Sequence, residues 1–483
     1  MLWFVENFNS SLWWIQILLT LWIIFLGRYK PARSTLMWVM IQAILPIFGF
    51  ILYLLFGLDN RKAHTFRIKA SLDNQIHALT ELQRKHILNH RNIFTAKEDE
   101  DYSELAALNL HNDKSVLTEK NECQIFFDGK EKFRKLFEDI DQAKKSIDLQ
   151  YYIVKSDKLG NQLFDHLIRA SQRGVAVRIL VDGVGGRNFK NRDRERLKKA
   201  GCKLAIFYPS IFKYINLRLN YRNHRKIVVI DDYIGYIGGF NVGDEYIGKD
   251  KRFGYWRDTH LRLYGEGSLF LKTRFLQDWY YSSKEDPEEE RNPELSPEFH
   301  GGTYSQIVTS GPDTLNPNIK YTMLKMIQSA NEVIYIQSPY LVLDRSFLDA
   351  LKIAISQGVE VNIMIPNKPD HIIVYWATTS YAGELLKAGA KVYRYERGFL
   401  HSKVLIVDHF LSLVGSANMD ERSFSLNFEA SALLYSYEIN KKLREQFDQD
   451  LQHSTHITQE CYEKRPLMQK IKEPIARLFS PLL

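Results

Sequence analysis

The residue types best suited to chemistry occur in two matched strings. The first reads His224-Arg-Lys226-Ile-Val-Val-Ile-Asp231 and continues to Gly238-Gly239-Phe-Asn241. The second reads His401-Ser-Lys403-Val-Leu-Ile-Val-Asp408 and continues to Gly415-Ser416-Ala-Asn418. Imidazole can attack an electrophile or carry a proton, while ammonium and amide groups can hold anionic oxygens. His and Lys lie two positions apart, so on a strand both side chains leave by one face. His to Asn is seventeen positions in each copy, with a polar midpoint at Asp232-Tyr233 or His409-Phe410. Each string is therefore expected to fold as a hairpin. Four apolar residues bury the outgoing strand, and the return strand brings Asn opposite His and Lys. A single HxKxxxxD is a weak signal, but two copies with the same apolar quartet and the same spacing to Asn are not coincidence.

The strings close a longer repeat that must position them. Ser146-Ile-Asp-Leu-Gln150 is followed by a helical stretch ending near Gly174 and by Val175-Ala-Val-Arg-Ile-Leu; Val333-Ile-Tyr-Ile-Gln337 is followed by a helical stretch ending near Gly358 and by Val359-Glu-Val-Asn-Ile-Met. Each unit reads as strand, helix, strand, with glycine where a helix end favours a left-handed residue. The expected fold is α/β, with two homologous lobes at 120–290 and 291–483. The boundary falls in the Pro- and Gly-containing stretch 283–302. Residues 59–119 read as a helical connector and 1–58 as a membrane hairpin.

That hairpin is the sharpest break in composition. Leu36 to Leu58 holds no charge over 23 residues, and at ~1.5 Å per residue it can cross a ~30 Å hydrocarbon core. The run from Phe8 to Gly27 is a second expected span. Arg28, Lys30 and Arg33 fill the link, and Trp13, Trp14, Trp22 and Trp38 supply rings suited to headgroup depth. There is no basic leader or small-residue cleavage site of the signal-peptide kind. Two spans put the lobes on the same side as the N-terminus, and the basic residues flanking them favour the cytoplasm by a narrow margin. The net charge of +8, from 65 basic and 57 acidic residues, suits anionic lipid or nucleic acid without choosing between them. No extended Lys/Arg tract suggests a nucleic-acid partner. Cys123, Cys202 and Cys461 are scattered, which argues against disulfides and against a zinc site.

The paired strings resemble the HKD motifs of the phospholipase D superfamily over nearly all of residues 120–450. The N-terminal Leu45-Pro-Ile-Phe-Gly-Phe-Ile-Leu-Tyr-Leu-Leu-Phe-Gly57 and the segments Asn216 to Lys226, Gly239 to Tyr246 and Tyr255 to His260 are similar to bacterial cardiolipin synthases. The resemblance implies two α/β/α lobes related by a pseudo-twofold axis, with one active site between them. It implies phosphatidyl transfer between phosphatidylglycerol molecules through a phosphohistidine, without metal or other cofactor, by a multi-pass protein of the cell membrane. His224 is then the nucleophile and His401 the general acid, although near symmetry allows the roles to be exchanged. Lys226, Lys403, Asn241 and Asn418 would hold the phosphate. Glu429 resembles the acid that orients the second histidine, and Asp258 is the matching candidate for the first. Asp231 and Asp408 belong to the motif, yet their place at a turn suits a structural role equally well.

A membrane phospholipase D hydrolase, a nuclease of the same superfamily, or a phosphatidyltransferase using serine or another alcohol would fit the same motif. A catalytically silent scaffold binding anionic lipid is the alternative of another class, and intact His, Lys and Asn in both copies count against it. The stretch Ile211 to Tyr221 reads either as a substrate-facing loop or as plain strand and turn. The basic amphipathic piece Leu467 to Phe479 could meet lipid headgroups. Oligomeric state is not legible.

Overall fold

The computed structural model describes residues 2–26, 32–57, 80–87, 94, 99–209, 221–285, 299 and 301–480. The basic link at 28–30, most of the connector, the candidate substrate loop at 211–220 and most of the inter-lobe stretch at 283–302 lie outside the described residues.

The first apolar run forms a helix, Leu2–Leu26. The second is not the uninterrupted span that its composition suggests. It forms Ala32–Ile44, breaks at Leu45, resumes at Pro46–Leu52 and ends in a π turn, Tyr53–Gly57. Pro46 has no N–H to continue the ladder, and Leu45 leaves the helical region with φ −127° and ψ 77°. Gly49 then packs so close to the preceding helix that a Cβ there would stand 2.7 Å from Gln42 Cα. Gln42, fully buried, is satisfied within the pair: Thr20 Oγ1 donates to its Oε1 at 2.6 Å, and its Nε2 donates to Gln16 O at 3.3 Å. Trp38 is buried against Tyr53 rather than exposed as an interfacial ring. Among the described residues, no helix is long and apolar enough to cross a membrane.

The remainder is built on two sheets of the same strand order. In chain order the first lobe contributes β1 (Asn121–Asp128), β2 (Ser146–Tyr151), β3 (Ala176–Asp182), β4 (Lys203–Phe207), β5 (Ile227–Ile230), β6 (Ile234–Gly238) and β7 (Tyr255–Gly265). These lie in the order β1-β7-β6-β5-β2-β3-β4. The second lobe contributes β8 (Tyr304–Ser310), β9 (Val333–Gln337), β10 (Leu341–Val342), β11 (Glu360–Pro366), β12 (Lys391–Tyr395), β13 (Gly398–Leu400), β14 (Val404–Val407), β15 (Leu411–Gly415), β16 (Met419–Asp420), β17 (Glu429–Tyr435) and β18 (Ser454–Ile457). Its main sheet runs β8-β17-β15-β14-β9-β11-β12-β18. The expected strand–helix–strand units are present, as Ser146–Tyr151, Lys158–Gln172, Ala176–Asp182 and as Val333–Gln337, Arg345–Ser356, Glu360–Pro366. Gly174 and Gly358 take φ of +92° and +95° at the helix ends. The helix Asp99–Asp113, which composition put in the connector, packs Tyr102, Leu105 and Leu110 into the core of the second lobe.

Both motif hairpins form, Ile227 opposite Ile237 and Val404 opposite Val414. Asp231 and Asp408 occupy their corners at φ 52° and 48°, a conformation that Asp tolerates better than most residues. The Asp231 carboxylate accepts from the backbone N–H groups of Lys144, Lys145 and Ser146, and Asp408 accepts from those of Asn331, Glu332 and Val333. Each therefore fastens its hairpin to the start of the neighbouring strand, β2 or β9.

Among the described residues, backbone hydrogen bonds join the two lobes at three places, one being Thr303 N–H to Asn121 O at 3.1 Å and the other two lying beside the motifs. β13 leaves the second lobe and pairs in parallel with β7, setting Phe399 beside Trp256 and Leu400 beside Arg257. Gly398 is required there, because a Cβ would lie 1.9 Å from Tyr255 O. In the reciprocal contact Asn223 bridges Phe428, with Phe428 N–H donating to Arg222 O and His224 N–H to Phe428 O, both at 2.9 Å. An apolar core between the sheets, including Ile227, Val229, Val404, Ile406, Ala430 and Ala432, joins them further.

Asp231→Ala removes the acceptor of three backbone N–H groups and puts alanine, which tolerates positive φ less well, at the corner, so a loss of ~1–3 kcal/mol of stability is expected. Thermal unfolding in detergent should fall accordingly, while turnover per folded molecule stays within about threefold. A collapse of turnover with unchanged unfolding would return Asp231 to the chemistry.

Candidate active site

Side-chain parity on the motif segments decides what faces the site. Asn223 and Arg225 both reach Asp278, through Asn223 Nδ2 at 3.1 Å and Arg225 Nη1 at 2.7 Å. His224 and Lys226 must therefore leave by the opposite face. Lys226 Nζ donates to His224 O at 2.6 Å, and Lys403 Nζ makes the same bond to His401 O. In each motif the lysine is thus clasped to the backbone beneath its own histidine.

The orienting carboxylates are exchanged relative to the sequence expectation. Glu429, expected behind His401, accepts from His224 Nδ1 at 2.9 Å and 3.1 Å. Asp258, expected behind His224, accepts from His401 Nδ1 at 2.6 Å. The cause is the backbone pairing between lobes: Phe428 is bonded to the strand of His224, so the next residue meets that imidazole, and Arg257 is bonded to the strand of His401, so Asp258 meets the other. Both carboxylates are fully buried. Glu429 also accepts from Asn427 Nδ2 at 3.1 Å and from Ser416 Oγ, and Asp258 from Thr259 N–H at 2.8 Å. With Nδ1–H donated to a carboxylate, each neutral imidazole presents its lone pair on Nε2.

Asp231 and Asp408 do not join the site. Each lies seven residues beyond its histidine along an extended chain, ~23 Å at ~3.3 Å per residue, and its oxygens are engaged by backbone N–H groups. Although they belong to the motif, they anchor the hairpins and lie apart from the imidazoles. Asn241 is drawn into loop structure, since Oδ1 accepts from Ile153 N–H at 3.0 Å and Nδ2 reaches Tyr246 Oη at 3.3 Å. Asn418 is buried, with its backbone N–H on Ser423 Oγ at 3.2 Å.

Sequence reasoning missed the groups that wall the site. The Tyr152 ring lies edge-on to His224 with centroids 5.0 Å apart, and Trp256 sits 5.1 Å from His401. Behind them are two buried ion pairs, Arg225 with Asp278 and Arg257 with Asp450. Arg225 adjoins His224, and Trp256 and Arg257 precede Asp258, so adjacency was the available signal there, while Tyr152 directly follows the repeated strand that ends at Tyr151.

Burial dominates the electrostatics. It pushes Lys226 down to about 7 and Lys403 down to about 8, in each case against the pull of Glu429 and Asp258. Burial, with Lys403 adding to it, takes His401 down to about 4, and burial also lowers His224. Burial alone would raise Asp258 and Glu429, but the lysines and histidines beside them bring both below the usual carboxylate range. With both imidazoles neutral, the two ammonium groups balance the two carboxylates, and the lysines remain the cationic groups that an anionic phosphodiester would meet. Among the described residues, no group of His, Cys, Asp or Glu is arranged to hold a metal ion.

Residues 136–251 and 323–451 match the family described as Cardiolipin synthase, PLD-like domain, and residues 8–57 match Phospholipase D-nuclease N-terminal. The cardiolipin synthase of Oceanobacillus iheyensis is 47% identical over 97% of both chains. The major cardiolipin synthase ClsA of Bacillus subtilis is 46% identical over 99% of this chain and 100% of its own. The chain belongs to the bacterial cardiolipin synthases. It is accordingly a phosphatidyltransferase of the phospholipase D superfamily. The fold is also that of phosphatidylserine synthase from Haemophilus influenzae, with a TM-score of 0.61, 15% identity and coverage of 79% of this chain and 100% of that one.

The lysine shifts set a pH dependence for this synthase. Both ammonium groups are charged below about 7 and lose their protons as pH rises past about 8. Since kcat/KM reports the free enzyme, it should fall on the alkaline side through that window when assayed on phosphatidylglycerol in mixed micelles. A profile flat to about pH 10, the range of an ordinary lysine, would contradict the buried, mutually repelling pair.

Proposed function

We propose that His224 carries the phosphatidyl group as a phosphohistidine between two molecules of phosphatidylglycerol, releasing glycerol in the first half and yielding cardiolipin in the second. Nε2 of His224 attacks phosphorus while Lys226 and Lys403 stabilise the phosphoryl oxygens, and His401 protonates the departing glycerol oxygen. His401 holds no proton near neutrality in the empty site. An anionic phosphate laid against the lysines offsets the charge that disfavours the imidazolium, so substrate itself prepares the acid. In the second half His401 takes the proton of the acceptor hydroxyl, whose oxygen displaces Nε2 from phosphorus. The observation that carries this reading is the crossed pairing of His224 with Glu429 and His401 with Asp258, which gives each ring the same proton arrangement from opposite lobes.

Contact with the bilayer is part of the proposal. The N-terminal pair of apolar segments serves as the anchor, with the lobes on the cytoplasmic side, where free Cys123, Cys202 and Cys461 suit a reducing compartment. A second contact is supported by the helix Leu467–Leu478. It turns Glu473 and Ala476 inward and exposes Leu467, Met468, Ile471, Ile475 and Leu478, with Lys470 exposed among them. That is the arrangement of an interfacial helix. The neighbouring helix Ile372–Ala388 adds exposed Ile372 and Ile373, beside Asp370, which bonds Tyr340.

Displacement at phosphohistidine is close to thermoneutral, so added glycerol should drive cardiolipin back toward phosphatidylglycerol. With labelled phosphatidylglycerol in vesicles, cardiolipin should dominate over phosphatidic acid, and glycerol should reduce it. Phosphatidic acid as the main product, indifferent to glycerol, would make the enzyme a hydrolase.

A further inference from the structure

The two halves of the site are alike at the histidines and unlike beside them. Arg222 stands two residues before His224, on the face shared with His224 and Lys226, since Asn223 and Arg225 turn the other way onto Asp278. The corresponding residue before His401 is Phe399, whose ring joins Trp256 around that imidazole. Four residues after Asn418, on the short helix Glu421–Ser425, stands Arg422. Four residues after Asn241 stands Glu245, which pairs with Lys155. The His401 side is therefore flanked by Phe399 and Trp256, whereas the His224 side carries two arginines, one from each lobe.

The setting of these arginines suits an anion. Arg222 is buried, with Nη1 3.7 Å from Asp182 Oδ1. That carboxylate also accepts from the N–H groups of Val184, Gly185 and Asn223, so its charge is already spread over three donors. Burial depresses the Arg422 guanidinium, against the pull of Asp420, and Arg222 adds repulsion. Both arginines, and Arg187, act on the Tyr152 hydroxyl, whose ring lies against His224. Burial and Asp182 keep that phenol protonated as a donor.

Joining two phosphatidylglycerols brings a second phosphate into a site whose lysines already hold the first. The phosphates of the product are separated by a three-carbon bridge, and residues two apart on a strand are ~6.6 Å apart, a comparable span. We propose that Arg222 and Arg422, with Tyr152, form a second anion subsite that holds the phosphodiester of the acceptor lipid while its terminal hydroxyl attacks the phosphohistidine on His224. The inference rests on the transfer reading above. In the step it serves, the acceptor oxygen forms its bond to phosphorus, the bond from phosphorus to Nε2 of His224 breaks with its electron pair returning to the ring, and the hydroxyl proton passes to His401. Hydrolysis needs no such subsite, because water brings no second phosphate.

The test measures two acceptors on the same full-length protein in mixed micelles: cardiolipin formation from phosphatidylglycerol, and exchange of labelled free glycerol into phosphatidylglycerol. Both pass through the same covalent carrier, but glycerol has no phosphate. Arg422→Gln should lower cardiolipin formation relative to glycerol exchange by about thirtyfold, the loss of one charge-assisted contact, through a raised KM for the acceptor. Arg422→Lys should restore part of it. Arg222→Gln, which also disturbs Asp182, should shift the ratio the same way. Inorganic phosphate should inhibit cardiolipin formation more than exchange in the parent and lose that selectivity in Arg422→Gln, as expected of an anion site independent of lipid tails. A variant pair in which both reactions fall together, or neither falls, overturns the subsite. A parent protein that makes no cardiolipin at all would instead overturn the transfer reading.

Discussion

Everything at the centre of this protein depends on backbone hydrogen bonds that cross between the lobes. Asn223 pairs with Phe428, and Leu400 pairs with Arg257. In each case the histidine follows one partner and the acid follows the other, so the carboxylate that holds an imidazole belongs to the opposite lobe. One lobe alone would have a histidine without its acceptor, and two separate half-sites could not exist. Each histidine is therefore completed by a carboxylate from the other half of the chain. Arg257 strengthens the arrangement by running from the first lobe to Asp450 in the second, a buried pair whose rupture typically costs ~3–5 kcal/mol. Arg225 does the reciprocal work, donating Nε–H to Glu429 O at 3.1 Å while Asp278 balances its charge.

The same burial that fixes the geometry sets the chemistry. Lysines and histidines are withdrawn from water close together, so burial and the neighbouring ammonium groups disfavour protonation of the imidazoles. The result is a free enzyme with neutral imidazoles and weakly held lysine protons. In the proposed mechanism a substrate phosphate shifts that balance by adding negative charge beside the lysines. The lysines are already held by their own backbone, Lys226 by His224 O and Lys403 by His401 O.

The parts of this design that are local were legible in the sequence. The two-residue step from His224 to Lys226 and from His401 to Lys403 announced a shared face, the apolar quartets announced buried strands, and both hairpins formed, although one residue off the register that would set Asn241 and Asn418 opposite the histidines. What depended on contacts between distant segments was not legible. Nothing in the spacing of Asp258 or Glu429 says which histidine either will meet, since strand pairing between lobes decides it. Asp231 and Asp408 sit inside the motif and so read as chemistry, yet the backbone groups they bind are about eighty residues away in the chain. The break at Leu45 did have a local sign in Pro46, which the length of the uncharged run outweighed. The helix Asp99–Asp113 joined the second lobe across nearly two hundred residues of chain, as Asn109 bonds Gln306, and no local pattern carries that information.

The exchange of carboxylates between lobes is the central claim, and the ring protons of the two histidines report on it directly. In protein labelled with 15N-histidine, with His224 and His401 assigned by substitution, Glu429→Gln should alter the Nδ1–H resonance and the titration of His224 while leaving those of His401 near their original values. A change at His401 with His224 unaffected would mean that each acid serves the histidine of its own lobe, and the crossed site would be wrong.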